Sequence, residues 1–228
     1  ERLDISYKNF FRTCHSGGGF PKFASKQKYN SILLKEVFVL NNNKIKIPKI
    51  GELKMFKDSP ILGIPKTATI KKEATGYFVS IVCAEVSKTI QNVDESQVCG
   101  IDMGVAYFCV DSNGLLIENP KHFKKYEDQL RIENRSLARK KKFSNRWKKQ
   151  AKRWSLLHYK IGNVRKDFLH KESTKLAKLY HTVYVEDLKI KNMVQNKNLS
   201  KHILDCGWGM FRVMLEYKTN VVKVNPKF

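Results

Sequence analysis

Two acidic residues ride on apolar runs of strand length: Asp102 in Gly100-Ile101-Asp102-Met103-Gly104 and Glu186 in Val185-Glu186-Asp187-Leu188. A carboxylate planted on a buried strand is costly unless a cation compensates it, which makes both residues candidate catalytic groups and candidate metal ligands. Hard oxygen donors favour Mg²⁺ or Mn²⁺ over zinc. Two such ions about 3.5 to 4 Å apart stabilise the attacking and leaving oxygens of a phosphodiester displacement. Side chains alternate along a strand, so Asp102, on a strand at 101–110, faces away from Ile101 and Met103, with Gly100 and Gly104 leaving its surroundings open. Glu186 ends a strand that Val183 and Val185 lock into a sheet, and the ends of parallel strands are where α/β folds place their sites. Spacing alone also allows the bland reading, in which both acids are caps or ion-pair members. Asp187 reads as a cap or a support for Glu186, and Asp205 as a helix-surface residue.

The chemistry requires these two strands to be neighbours. An apolar run at 97–110 turns at Asp111-Ser112-Asn113-Gly114 and resumes at 115–117, a hairpin signal in which both central residues are expected to accept positive φ. From about 121 to 180 the period is helical, with an interruption near Phe143-Ser144-Asn145 where Ser144 or Asn145 caps the next helix. Trp147, Ala151, Trp154, Ile161, Val164 and Phe168 form one apolar seam on a basic rod, which predicts two antiparallel helices and makes both tryptophans packing residues. The expected remainder is a strand at 182–186, a helix at 200–217 with Leu204, Trp208, Phe211 and Leu215 on one face, and a strand at 221–224 stopped by Pro226. Upstream, a short helix at 7–12 and the breaker Ser16-Gly17-Gly18-Gly19 lead into Phe20-Pro21-Lys22-Phe23, a basic aromatic segment continued by Ser25-Lys26. Short runs at 32–40, 44–48, 52–56, 67–71 and 77–85 predict a small β-barrel or twisted sheet, followed by a polar linker at 87–96.

The 228 residues, 42% of them hydrophobic, can bury one sizeable core plus a smaller unit. Lys and Arg number 44 against 21 Asp and Glu, a net charge of +23 that calls for a polyanionic partner, nucleic acid before an anionic membrane. No run approaches the roughly 18 apolar residues of a spanning helix. The predicted phosphate contacts are Lys22, Lys26, Lys140, Lys141, Lys142, Arg146, Lys148, Lys149, Lys152, Arg153, Arg165 and Lys166. Acidic partners four residues away are scarce along the helical part of this set, so its self-repulsion needs an outside anion. Cys14, Cys83, Cys99, Cys109 and Cys206 contain no Cys-x-x-Cys pair and read as idle thiols, not as a zinc site or a disulfide framework. His158 and His170 read as surface or packing residues. The start at Glu1 carries no signal peptide and is expected to lie inside a longer protein.

In this order, Gly100-Ile101-Asp102-Met103-Gly104, the basic helical pair, Arg165-Lys166-Asp167-Phe168-Leu169-His170-Lys171, Val185-Glu186-Asp187-Leu188 and Gly207-Trp208-Gly209-Met210-Phe211 with Leu215-Glu216-Tyr217-Lys218 resemble the TnpB family, the OrfB-type transposases. Phe20-Pro21-Lys22-Phe23 and Lys46-Ile47-Pro48-Lys49 are similar to its upstream region. The resemblance implies an α/β RuvC-like nuclease domain of RNase H fold with an inserted basic helical hairpin, preceded by a wedge-like β-barrel. It divides the chain into 1–28, a remnant of a helical recognition region, 29–96, the barrel, and 97–228, the nuclease domain. It implies a guide RNA and a target DNA as partners, no membrane, a cytoplasmic location on the nucleoid in a prokaryote, and Mg²⁺ or Mn²⁺ held by Asp102 and Glu186 as the first two RuvC carboxylates. The family also carries a zinc ribbon and a third metal-binding Asp after the last strand. Neither is found up to Phe228, so the expectation is a catalytically incomplete chain or, as the alternative, a non-catalytic RNA- or DNA-binding protein.

Overall fold

The computed structural model describes residues 2–22, 29–35, 38–40, 43–56, 60–61, 63–84, 93–196 and 199–225. Lys26, Phe23, residues 87–92 of the expected linker and Pro226 lie outside them. The chain forms two compact units, Glu1–Val86 and Ser87–Phe228.

In the first unit, helix α1 spans Arg2–Thr13, longer than the expected 7–12. Strand β1 (Ser31–Leu34) pairs with β5 (Ile64–Lys72), which pairs with β6 (Tyr77–Ala84); a separate sheet joins β2 (Phe38–Leu40), β3 (Lys44–Ile47) and β4 (Gly51–Lys54). All these pairings are antiparallel. The alternation Lys44-Ile45-Lys46-Ile47 sends both isoleucines inward onto Met55 and Ala68, and Ile70, Val79 and Ile81 close over them. Among the described residues the expected closed barrel is therefore not formed. The run at 32–40 is divided between two sheets, and no ladder among the described residues joins them; closure would need a continuous stagger around the ring.

In the second unit, β7 (Val98–Asp102), β8 (Tyr107–Asp111) and β9 (Leu116–Glu118) form an antiparallel meander. Helices α2 (His122–Ala138) and α3 (Asn145–Leu179) follow, then β10 (Thr182–Glu186), α4 (Ile190–Met193), α5 (Ser200–Cys206), α6 (Trp208–Glu216) and β11 (Asn220–Val224). The sheet order is β11-β10-β7-β8-β9, with β10 parallel to both β7 and β11. One face of this sheet is covered: Phe108, Val183 and Val185 meet Leu169 and Leu176 of α3 and Phe211 and Leu215 of α6, all almost wholly buried. Phe108 packs edge-on against Phe211 at 4.8 Å and Phe168 at 5.1 Å between ring centroids. Each such aromatic side chain contributes roughly 1.5–3 kcal/mol by burial. On the opposite face Val98, Tyr184, Val222 and Val224 are exposed.

Three sequence expectations change here. The run 101–110 is two strands: Gly104 breaks it, because a Cβ there would stand 3.1 Å from the Tyr107 carbonyl oxygen, and the Gly104 N–H instead donates to Phe108. At the next turn only Gly114 takes positive φ, +85°. The Asp111 carboxylate accepts the Asn113 and Leu115 N–H groups and so supports the bend that two left-handed residues were expected to make. The helix expected at 200–217 is broken at Gly207, φ +71°, which lets Ile203 and Cys206 point into the core while Leu204 turns outward.

The two long helices pack through Leu130, Leu157 and Ile161, with Phe123 and Tyr126 beside them. Ser144 caps α3 by accepting the Trp147 N–H at 3.1 Å. The most deeply buried line along α3 is Gln150, Leu157, Ile161, Leu169, Ser173 and Leu176, so the expected seam is rotated and Trp147 and Trp154 sit at its margin, half-buried. Gly162 lies midway along α3, where an added Cβ would meet no neighbouring element.

Candidate functional site

Strands β7 and β10 are parallel neighbours in the register Tyr184↔Gly100 and Val185↔Ile101, so Asp102 and Glu186 follow as the last residues of both strands at one end of the sheet. Val224 of β11 is paired with Glu186 at that end. Ile101 and Val185 are buried on the covered face; alternation therefore turns Asp102 and Glu186 to the open face, alongside Gly100 and Tyr184. Both acids line a cleft there with Gly100, Val110, Tyr184 and Val224. At Gly100 a Cβ would meet nothing within 4 Å, so the floor between the two strands is clear.

No described residue forms a hydrogen bond or ion pair with either carboxylate. Three other acids of this unit are engaged within the protein. Asp187 pairs with Arg212 of α6 at 2.9 Å, and its N–H donates to Val224, tying the end of β10 to β11 and α6. Asp205, expected on a helix surface, pairs with Arg165 at 2.8 Å, with side chains 9% and 23% exposed, and accepts the Phe123 N–H. Asp111 is buried. Burial alone would raise its carboxyl, but the Tyr180 hydroxyl and the Leu115 and Asn113 N–H groups together hold it below the usual carboxylate value. Arg212 and the Arg165–Asp205 joint were missed by sequence reasoning because their partners lie 25 and 40 residues away.

Donor chemistry fits a hard divalent cation: carboxylate oxygens at two adjacent parallel strand ends, unclaimed in a chain of net charge +23. Among the described residues no third His, Cys, Asp or Glu joins them to complete a cluster of three. The buried cysteines offer nothing softer. Burial pushes the Cys109 thiol up to about 12 and those of Cys99 and Cys206 to about 11.

The basic residues separate into two groups. Arg165 is occupied by Asp205, and Lys140 turns back to donate to the Ser136 carbonyl and hydroxyl oxygens at the end of α2. Lys22, Lys141, Lys142, Arg146, Lys148, Lys149, Lys152, Arg153 and Lys166 are exposed. Among the described residues no carboxylate pairs with any of them; Lys142 lies over the Phe143 ring. His170 lies against Lys218 and Tyr217, and its imidazole is lowered by burial first and by Lys218 second.

A mixed α/β protein with two acids meeting at parallel strand ends and a long helix of surplus positive charge is the class the structure defines. The sequence pattern of OrfB_IS605, described as a probable transposase, matches residues 81–197, and the chain belongs to that family. It is similar to the putative RNA-guided DNA endonuclease InsQ of Escherichia coli K12, with 31% identity over 95% of this chain and 57% of that protein. A putative RNA-guided DNA endonuclease of Streptomyces pristinaespiralis is likewise 31% identical, over 95% of this chain and 54% of its own length. The chain spans about half the length of the curated relatives it matches. No helix among the described residues is long and apolar enough to cross a membrane.

Proposed function

We propose that this chain is the RuvC-like part, with an adjoining β unit, of an RNA-guided DNA endonuclease, binding guide RNA and target DNA in the cytoplasm. The carrying observation is that Asp102 and Glu186 end neighbouring parallel strands on one face, with no cation among the described residues paired to either. The sheet order supports the RNase H reading: a central first strand, an antiparallel meander on one side and two parallel crossover strands on the other. Asp102 and Glu186 would hold Mg²⁺ or Mn²⁺. Bound there, the ion supplies charge stabilisation at the attacking and leaving oxygens of a phosphodiester. The chain's own part is to fix two carboxylates on a rigid sheet, to brace Glu186 through the Asp187–Arg212 pair, and to hold the nucleic-acid backbone on α3. The resemblance implies zinc in a Cys-x-x-Cys ribbon, and the 228 residues contain no Cys-x-x-Cys pair.

Titration with Mn²⁺, followed by electron paramagnetic resonance, tests this. Wild type is expected to bind at least about tenfold more tightly than Asp102→Asn or Glu186→Gln, since each removes one charged ligand. Equal binding by all three would remove the metal site. A second reading, binding without cleavage, is favoured by the absence of a third ligand among the described residues. It predicts no Mn²⁺-dependent nicking of guide-matched DNA by the purified chain, with nucleic-acid affinity unchanged in EDTA.

A further inference from the structure

Beside the contact between α2 and α3 lies a second cleft, of about 550 Å³, which shares no residue with the strand-end cleft. Its floor is Phe123 and Leu130 of α2, and its wall is Trp154 and His158 of α3. The two wall rings stand 4.2 Å apart between centroids with their planes 62° to one another, a corner that takes a flat ring by stacking on one and edge contact with the other. Asn134 stands on the rim, exposed and without a hydrogen-bond partner among the described residues, and offers both donors and an acceptor to such a ring's edge.

The charges at this cleft cancel within it. Glu127 pairs with Lys201 at 3.1 Å, and Asp128 pairs with Arg131. On a chain of net charge +23 this locally neutral, aromatic pocket suits the uncharged flat part of a ligand and not its phosphate. Positive charge lies farther round the same helix: Arg153 and Lys148 stand about 100° and 120° about its axis from Trp154, with Lys149 and Lys152 beyond them, all within six residues or about 9 Å along it.

We infer that this cleft receives an unpaired nucleobase of a single strand, DNA or RNA, stacked at the Trp154–His158 corner while the neighbouring basic residues hold its backbone. The inference rests on the nucleic-acid-binding reading above and is independent of the metal site. It also reassigns Trp154 from packing to ligand contact, which its half-buried position at the margin of the seam permits.

The test is fluorescence anisotropy in EDTA, with 12-nucleotide single strands of DNA and RNA, each compared with an abasic strand of the same length and charge. Wild type is expected to bind intact strands about tenfold more tightly than abasic ones, the gain that stacking of one base on an aromatic platform supplies. Trp154→Ala should shrink that ratio severalfold, leaving abasic binding unchanged, and Trp154→Phe should keep most of it. The conservative variant and the abasic strand together separate lost stacking from lost folding, and His158→Ala repeats the comparison at an exposed ring. The DNA and RNA arms report which strand is preferred. Equal binding of intact and abasic strands by wild type, or an undiminished ratio in Trp154→Ala, would overturn the inference while sparing the nucleic-acid reading. Failure of every strand to bind would overturn both, and the Mn²⁺ titration stands apart from either result.

Discussion

The two halves of α3 treat charge in opposite ways. Beyond Gly162, the helix packs on the sheet and three of its five cations are answered within the protein, Arg165 by Asp205, Lys171 by Asp167 and Lys175 by Glu172, while Lys166 and Lys178 have no acidic partner among the described residues. Before it, Arg146, Lys148, Lys149, Lys152 and Arg153 have no acidic partner among the described residues. Matched pairs predominate in the half that packs on the sheet, and unmatched positive charge predominates in the half before it. The excess is thus not spread evenly but concentrated on a segment whose own stability does not depend on it, which is what a surface for an external polyanion requires.

This contrast can be broken by mutation. The largest effect is expected from replacing Lys148, Lys149, Lys152 and Arg153 together by Ala. If each touches a phosphate, the slope of log K against log salt falls by about 0.9 per residue, amounting to roughly a thousandfold weaker binding near physiological salt. Unfolding in urea should move by only about 0.5 kcal/mol or less for each surface site. An unchanged slope would make the first half of the helix merely solvated. Next in size, Asp205→Ala in the matched half is expected to cost about 2–3 kcal/mol in the same urea experiment, because it leaves the Arg165 guanidinium and the Phe123 N–H without their acceptor. Loss of stability no greater than at a surface lysine would erase the distinction between the halves.

The smallest expected effect is on pH dependence. His122, packed against Phe168 at the matched end, is lowered by burial first, with Asp205 opposing. The unfolded chain therefore takes up this proton before the folded one, so its contribution is intact above the ordinary histidine value of 6.5 and is lost as pH falls through it toward the folded value. Thermal melts between pH 7.5 and 5.5 should show less acid destabilisation in His122→Gln than in wild type. An identical pH slope would show that this imidazole titrates as it does in the unfolded chain.

Much of this organisation was readable from local pattern. Strand alternation around Ile101 and Val185 and the apolar run before Glu186 were enough to place Asp102 and Glu186 on strands, and the pair Ser144-Asn145 announced the start of α3, with Ser144 the cap. What could not be read depended on partners distant along the chain. Asp205 looked like a surface acid because nothing near it in sequence indicates that Arg165 and the Phe123 N–H converge on it. Gly207 looked compatible with a continuous helix, since a left-handed break is invisible to hydrophobic spacing that continues on both sides. The barrel expectation failed for a related reason: alternation identifies strands but not which edges meet, and β1 and β2, read as one run, serve different sheets. Trp154 was placed in the seam by its spacing of seven from Trp147, while the true contact line is rotated toward Leu157 and Ile161.

Gly162 gives α3 a mechanical property that neither half has alone. A glycine in a helix interior lowers local stability by about 1 kcal/mol relative to alanine, and here it falls between a segment clamped by the sheet and α6 and one held chiefly by α2. Transient opening of backbone hydrogen bonds is therefore expected to begin at this joint and to spread toward Asn145 more readily than toward Leu179, which amide hydrogen exchange along α3 would read. The outer arm would then loosen and re-form as a unit, while the strand termini keep their alignment.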